Sequence, residues 1–256
     1  MTTTHDMKQL VLPLWSEIER TAPASVVRSS LFGVVKRGSR RFVDREVIAS
    51  WGKDSITFTG KQLDQADFDL WLEILHQGRE NPGEPVYFNF RGILKAIGRS
   101  TGGTNVKWLR QSLTRLKANE VLIKSGGKEY AGSLIHEYAQ NSLTDEYYLV
   151  VNKRIGQLFN PAYAKMLLDT RLTLKTDMSR WLYAFISSQK PRRLHTIGIK
   201  KLQTLSGSSS SLREFRRKLK RDMPALMKEK AINYWTLRED DVLEYRRVAS
   251  LSEGAV

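Results

Sequence analysis

Leu212, Phe215 and Leu219 stand at the i, i+3, i+7 spacing that puts apolar side chains on one face of a helix. Four serines, 208–211, precede the run, and serine is a preferred helix N-cap. The pattern predicts an amphipathic helix from Ser209 to Asp222. A shorter apolar repeat, Ile199, Leu202 and Leu205, predicts a helix just before it that stops at Gly207. Upstream, the same two-helix pattern occurs again. Ile93, Leu94 and Ile97 predict a short helix ended by Gly98, and Val106, Leu109, Leu113 and Leu116 predict a longer one from Thr104 to Asn119. Phe68, Trp71, Leu72 and Leu75 give Leu63–Arg79 an inner helical face, and Met178–Ser187 is an apolar helix.

Strand signals surround these helices. Ser30–Val35, Ser55–Thr59, Val86–Phe90 and Tyr147–Val151 read as strands. Val121–Lys124 and Glu129–Tyr138 flank SGGK, a hairpin turn. Ala231–Leu237 and Val242–Arg247 flank REDD and form a second hairpin. Helix, turn, helix, hairpin is the winged-helix order, and it occurs twice. The expected fold is therefore α+β, with two tandem winged-helix domains. The expected divisions are an N-terminal arm, 1–27, a first domain, 28–151, a second, 152–247, and a tail, 248–256.

Charge turns this architecture toward a partner. The 256-residue chain carries 42 Lys and Arg against 27 Asp and Glu, a net charge of +15. That balance favours a polyanion: DNA, RNA or an anionic membrane surface. From Arg213 to Arg221 six of nine residues are basic, with Glu214 the single acid. A helix that packs one face and presents only positive charge on the other suits the second helix of a helix-turn-helix, which lies in the DNA major groove. In the second domain the candidate contacts are Ser209, Arg213, Arg216, Arg217, Lys220 and Arg221. In the first they are Asn105, Lys107, Arg110, Gln111 and Thr114. Arg can bond guanine bidentately, and Asn or Gln can do so to adenine. A simpler reading of either helix is a solvated face. RGSRR, residues 37–41, reads as a basic loop, and Trp71, Trp181 and Trp235 read as core.

Catalytic signals are poor. Gly98 and Gly103 have phosphate-loop spacing, but Thr104 and Asn105 stand where Lys and Ser/Thr are needed, so nothing would reach the terminal phosphates. His5, His76, His136 and His195 are scattered, and no pair has metal-ligand spacing. Asp and Glu read as spread over helix surfaces, with no metal cluster. No cofactor, metal or catalytic residue is expected. Cysteine is absent, which fits a reducing cytoplasm. No apolar run approaches the length of a membrane span, and the N-terminus does not read as a signal peptide.

LRQSLTRL, SLREFRRKLKRD, SSLFGVVKRGSRRF and above all TGKQLDQADFDLWLEILH (residues 59–76) resemble the TrfA family of plasmid replication initiators. The likeness covers roughly Leu12 to Arg247. It implies a non-enzymatic, cytoplasmic bacterial protein of two winged-helix domains that binds direct repeats (iterons) in double-stranded origin DNA and helps open an AT-rich segment. It also implies recruitment of the host initiator, the replicative helicase and the sliding clamp, with a monomer on DNA and a homodimer in copy control. QLVLPLW resembles the clamp-binding pattern, with Gln9, Leu12, Leu14 and Trp15 at its key places. A bland reading of this segment is a first strand packed on its own domain. Without the resemblance, the same residues fit a winged-helix transcriptional repressor.

Overall fold

The computed structural model describes residues 12, 15–36, 38–141, 146–160 and 162–249. In chain order the elements begin with β1 (Glu19–Pro23), α1 (Ala24–Val27), β2 (Phe32–Gly33), β3 (Phe42–Ile48), β4 (Ser55–Lys61), β5 (Leu63–Asp64) and α2 (Gln65–Gln77). Then come β6 (Pro85–Phe88), α3 (Phe90–Ala96), α4 (Gly103–Lys117), β7 (Glu120–Ser125), β8 (Lys128–Gly132), β9 (Glu137–Asn141) and β10 (Glu146–Val150). A 3-10 helix (Lys153–Phe159) leads into β11 (Tyr163–Leu167), α5 (Leu168–Thr173) and α6 (Asp177–Ser187). The chain closes with β12 (Leu194–Gly198), α7 (Ile199–Leu205), α8 (Leu212–Lys228), β13 (Ile232–Leu237) and β14 (Val242–Arg247).

One topology is used twice in this α+β fold. A leading strand precedes two helices, and a hairpin follows whose second strand pairs with the leader. The sheet orders are β6-β10-β9 and β12-β14-β13, all antiparallel. Tyr148 sits opposite Tyr87 and Ala139 in the first sheet. Arg246 sits opposite Leu194 and Tyr234 in the second.

This corrects the expected first hairpin. Glu129–Tyr138 is not one strand: β8 ends at Gly132, and β9 starts at Glu137 in a different sheet. The hairpin around SGGK does form, with Gly126 and Gly127 at φ 57° and 76°, as a tight hairpin turn requires. It joins a separate sheet, β3-β4-β7-β8, with Ile56 opposite Ile123. The hairpin equivalent to β13–β14 is β9–β10, and distant β6 fixes its place. The turn signal at SGGK is strong but local, and it says nothing of which sheet the hairpin joins. Ser30–Val35 shortens for a related reason: only Phe32 and Gly33 find a partner, in β5.

Helix α2 forms the centre. Asp64 and Asp67 make a capping box at its start, and Trp71, Leu70, Ile74 and Leu75 are fully buried. Its acids are buried too, contrary to the expectation of a solvated face. Asp67, Asp69 and Glu73 are 0%, 5% and 3% exposed, which a carboxylate tolerates only when paired. Each is met by arginine. Arg20 of β1 reaches Glu73 at 2.7 Å, Arg171 and Arg180 reach Asp69 at 2.5 and 2.7 Å, and Arg40 and Arg115 reach Asp67 at 2.6 and 2.7 Å. The basic loop thus turns Arg40 inward instead of presenting it.

The N-terminal segment is built into this body. β1 is buried throughout and pairs antiparallel with β11, Glu19 opposite Leu167. Leu12 and Trp15 are buried at 2% and 6% exposure. The Trp15 indole donates to His76 Nδ1 at 3.0 Å and stacks on Phe159. Burial lowers the pKa of His76, so its ring stays neutral and can accept that bond. Gln9 and Leu14 lie outside the described residues.

Candidate nucleic-acid interface

Helix α8 forms because its apolar stripe has somewhere to go. Phe215, Leu219, Met223 and Leu226 are fully buried. Each is worth roughly 1.5–3 kcal/mol of burial. The helix starts at Leu212, capped by the Ser211 hydroxyl, which accepts from the Glu214 backbone N–H at 3.3 Å. It runs past the expected end at Asp222, through Pro224 to Lys228. Proline inside a helix costs about 3 kcal/mol. Here the cost is offset because Met223 and Leu226, either side of it, continue the buried stripe.

The preceding turn is tightly set. Gly207 has φ +66°, and a Cβ there would lie 3.0 Å from that of Ser30. The Gln203 side chain donates to the Ser210 carbonyl at 2.5 Å, holding the loop against α7. Ser209 is exposed at its tip.

The outward face of α8 carries Arg213, Arg217 and Lys220, all exposed. Arg213 and Lys220 make no ion pair among the described residues. Arg217 bonds Glu214 at 2.7 and 2.8 Å, which raises the pKa of the guanidinium and lowers that of the acid. Arg221 pairs with buried Asp222 at 2.7 Å, and half-buried Arg216 pairs with Asp241. Lys218 was missed in the sequence. It makes no ion pair among the described residues and adds to the same cluster. Its signal was its place in the basic run.

Helix α4 is built differently. Its N-cap Gly102 offers no side-chain cap. Arg99, just past Gly98, lies over the Trp108 ring at 3.6 Å and braces the turn. That pair was also missed, because a nine-residue separation gives no periodic signal. Asn105 is used within the turn: its amide donates to Ser100 at 2.8 and 2.9 Å. Arg110 donates to the Tyr147 hydroxyl of β10 at 2.9 Å, and Thr114 shares a hydrogen bond with Tyr138 of β9 at 2.9 Å. Lys107 and Gln111 are exposed, one turn apart, and their side chains make no hydrogen bond among the described residues. Lys107, Arg110, Gln111 and Thr114 therefore share one face of α4, and Arg213, Arg216, Arg217, Lys220 and Arg221 share one face of α8, whereas Asn105 bonds into the turn before α4 and Ser209 belongs to the loop before α8. Several of them are already engaged within the protein.

The model of the family "Replication initiator protein A" matches residues 64–226, from the cap of α2 through most of α8. The chain belongs to that family. It is therefore a replication initiator. Solved structures show the same fold at low identity. Domains 2 and 3 of RctB, as the selenomethionine derivative, superpose with TM-score 0.58 and 13% identity, covering 89% of this chain and 98% of that one. A second RctB structure, domains 2-3, gives TM-score 0.56 and 12% identity, over 83% and 93%. The Pi initiator protein in complex with iteron DNA gives TM-score 0.53 and 13% identity, over 72% and 91%. No curated protein matches the chain. In this initiator no helix among the described residues is long and apolar enough to cross a membrane.

Proposed function

We propose that this initiator is a non-enzymatic, cytoplasmic plasmid protein that binds iterons, direct repeats in origin DNA, through two winged-helix domains, 28–151 and 152–247. The observation that carries the reading is the doubled topology. Each unit presents a helix-turn-helix beside a three-stranded sheet, and the second helix of each, α4 and α8, has an outward polar or basic face. The Pi initiator, which shares the fold, is in complex with iteron DNA, and this supports the same ligand here. Arg213, Arg217 and Lys220 are the main phosphate or base contacts of α8. Lys107, Gln111 and Arg110 are those of α4. Resemblance to the TrfA family supports a monomer on DNA, a homodimer in copy control, and handover to the host initiator and replicative helicase.

A clamp contact through Gln9, Leu12, Leu14 and Trp15 belongs to the same proposal, with one condition. Leu12 and Trp15 are held in the protein's own core, so the segment must come away before a clamp groove can take them. Selection of bound fragments from the whole parent plasmid, followed by footprinting, tests the function. Direct repeats beside an AT-rich tract are the expected outcome. An inverted repeat at a promoter would make the chain a transcriptional repressor.

A further inference from the structure

Two carboxylates of α2 face opposite ways. Asp67 and Asp69 are two residues apart, about 200° around a helix. Asp67 looks toward the first unit and accepts from Ser112 Oγ at 2.5 Å and Arg115 Nη2 at 2.7 Å, both on α4. Asp69 looks toward the second and accepts from Arg171 Nε at 2.5 Å and Arg180 Nη1 at 2.7 Å. Arg180 lies on α6, whose N-cap Thr176 donates to Asp222 Oδ2 of α8 at 2.8 Å. A continuous line of hydrogen bonds thus runs from α4 through α2 and α6 to α8.

Apolar packing alone would let these helices slide by small rotamer changes. Charge-assisted hydrogen bonds are directional, and a buried carboxylate that loses its partner is left as an unpaired charge. Arg171 is itself 0% exposed and has no solvent to turn to. The paired geometry is therefore favoured over any that would strand one of these charges.

We propose that α2 acts as a rigid spacer, and that Asp67 and Asp69, with Arg115 and Arg180, set the distance and rotation between half-sites that one copy of the chain accepts. The proposal rests on the reading that α4 and α8 both enter DNA. These are positioning residues. None needs to touch the nucleic acid, yet they would decide which repeats the protein recognises.

The test measures affinity for one repeat and for the same repeat with one base pair inserted between its halves. One base pair adds about 3.4 Å and about 35° of rotation. The parent chain should lose about tenfold in affinity on insertion. Arg180→Gln, which leaves the buried Asp69–Arg171 pair intact, should shrink that penalty below about threefold while changing binding to each isolated half-site less than about twofold. Arg180→Lys should restore part of the penalty. A folded Arg180→Gln protein that keeps the parent's full penalty overturns the proposal. Should that variant not fold, Thr176→Val cuts the same line at its partly exposed end and is judged by the same ratio. If the parent protects both half-sites but shows no insertion penalty, the spacer is refuted and the two-helix reading stands. If the parent protects one half-site only, the two-helix reading itself fails.

Discussion

Helices α4 and α8 hold equivalent places in the two units, yet they prepare for a ligand in opposite ways. α8 carries most of the charge and leaves Arg213, Lys218 and Lys220 without ion pairs among the described residues. α4 carries less charge and ties Arg110, Thr114 and Asn105 into its own hairpin and turn, through Tyr147, Tyr138 and Ser100, while Lys107 and Gln111 stay exposed beside them. A dense, loosely held set of cations suits phosphates, which are the same at every base pair. A side chain already fixed by a neighbour pays less ordering entropy on binding and aims at one place, which suits base edges. On the proposed two-helix reading, the difference would put affinity mainly on α8 and discrimination mainly on α4.

The strongest way to break that assignment is Arg213→Ala, Arg217→Ala and Lys220→Ala together. Affinity should fall severely. The slope of log K against log salt should flatten by about 0.9 for each phosphate that is no longer neutralised, about 2.7 in all. Sequence preference should survive in what binding remains. Unchanged repeat binding by the folded triple variant would make α8 a solvated face.

A smaller effect should follow from Gln111→Ala. It should cost about 1–3 kcal/mol and relax preference at a single base pair, leaving the salt slope untouched. Competition assays over a singly substituted repeat library read this directly. A uniform loss across the library would move Gln111 to the phosphate class.

Glu214→Gln sharpens the contrast from the other side. It frees Arg217 from its intrahelical partner and removes a negative charge from the basic face. Binding at low salt should tighten about two- to threefold, and the gain should vanish at high salt. Weaker binding would mean that Glu214 orients Arg217 productively. Least of all, Tyr138→Phe should blunt discrimination by less than about 1 kcal/mol, since it removes only the hydroxyl that braces Thr114. A variant with the parent's preference at every position would show that this brace carries no specificity.

The parts legible in the sequence are those with local causes. α8 and α7 announce themselves through apolar spacing, a serine cap and Gly207. The hairpin at Gly126-Gly127 announces itself through its turn. The parts that were not legible depend on distant pairing. Nothing near Glu137–Asn141 says that it belongs with Pro85–Phe88, and nothing near Glu19–Pro23 says that it pairs with Tyr163–Leu167. The acids of α2 looked solvated because their arginines come from five other segments of the chain. Few side chains could replace Asp67 or Asp69 without stranding an arginine. The candidate contacts were legible only as faces of helices. Which of them were already engaged, such as Asn105 and Arg216, depended on loops and hairpins that periodicity does not see.

The central claim is that one chain reads DNA with two helices. Hydroxyl-radical and methylation footprinting of the monomer on a single repeat tests it most directly. The account predicts two protected major-groove segments about 10 bp apart, within a footprint of roughly 20 bp. Protection of one segment alone, with the other groove as reactive as in free DNA, would contradict it.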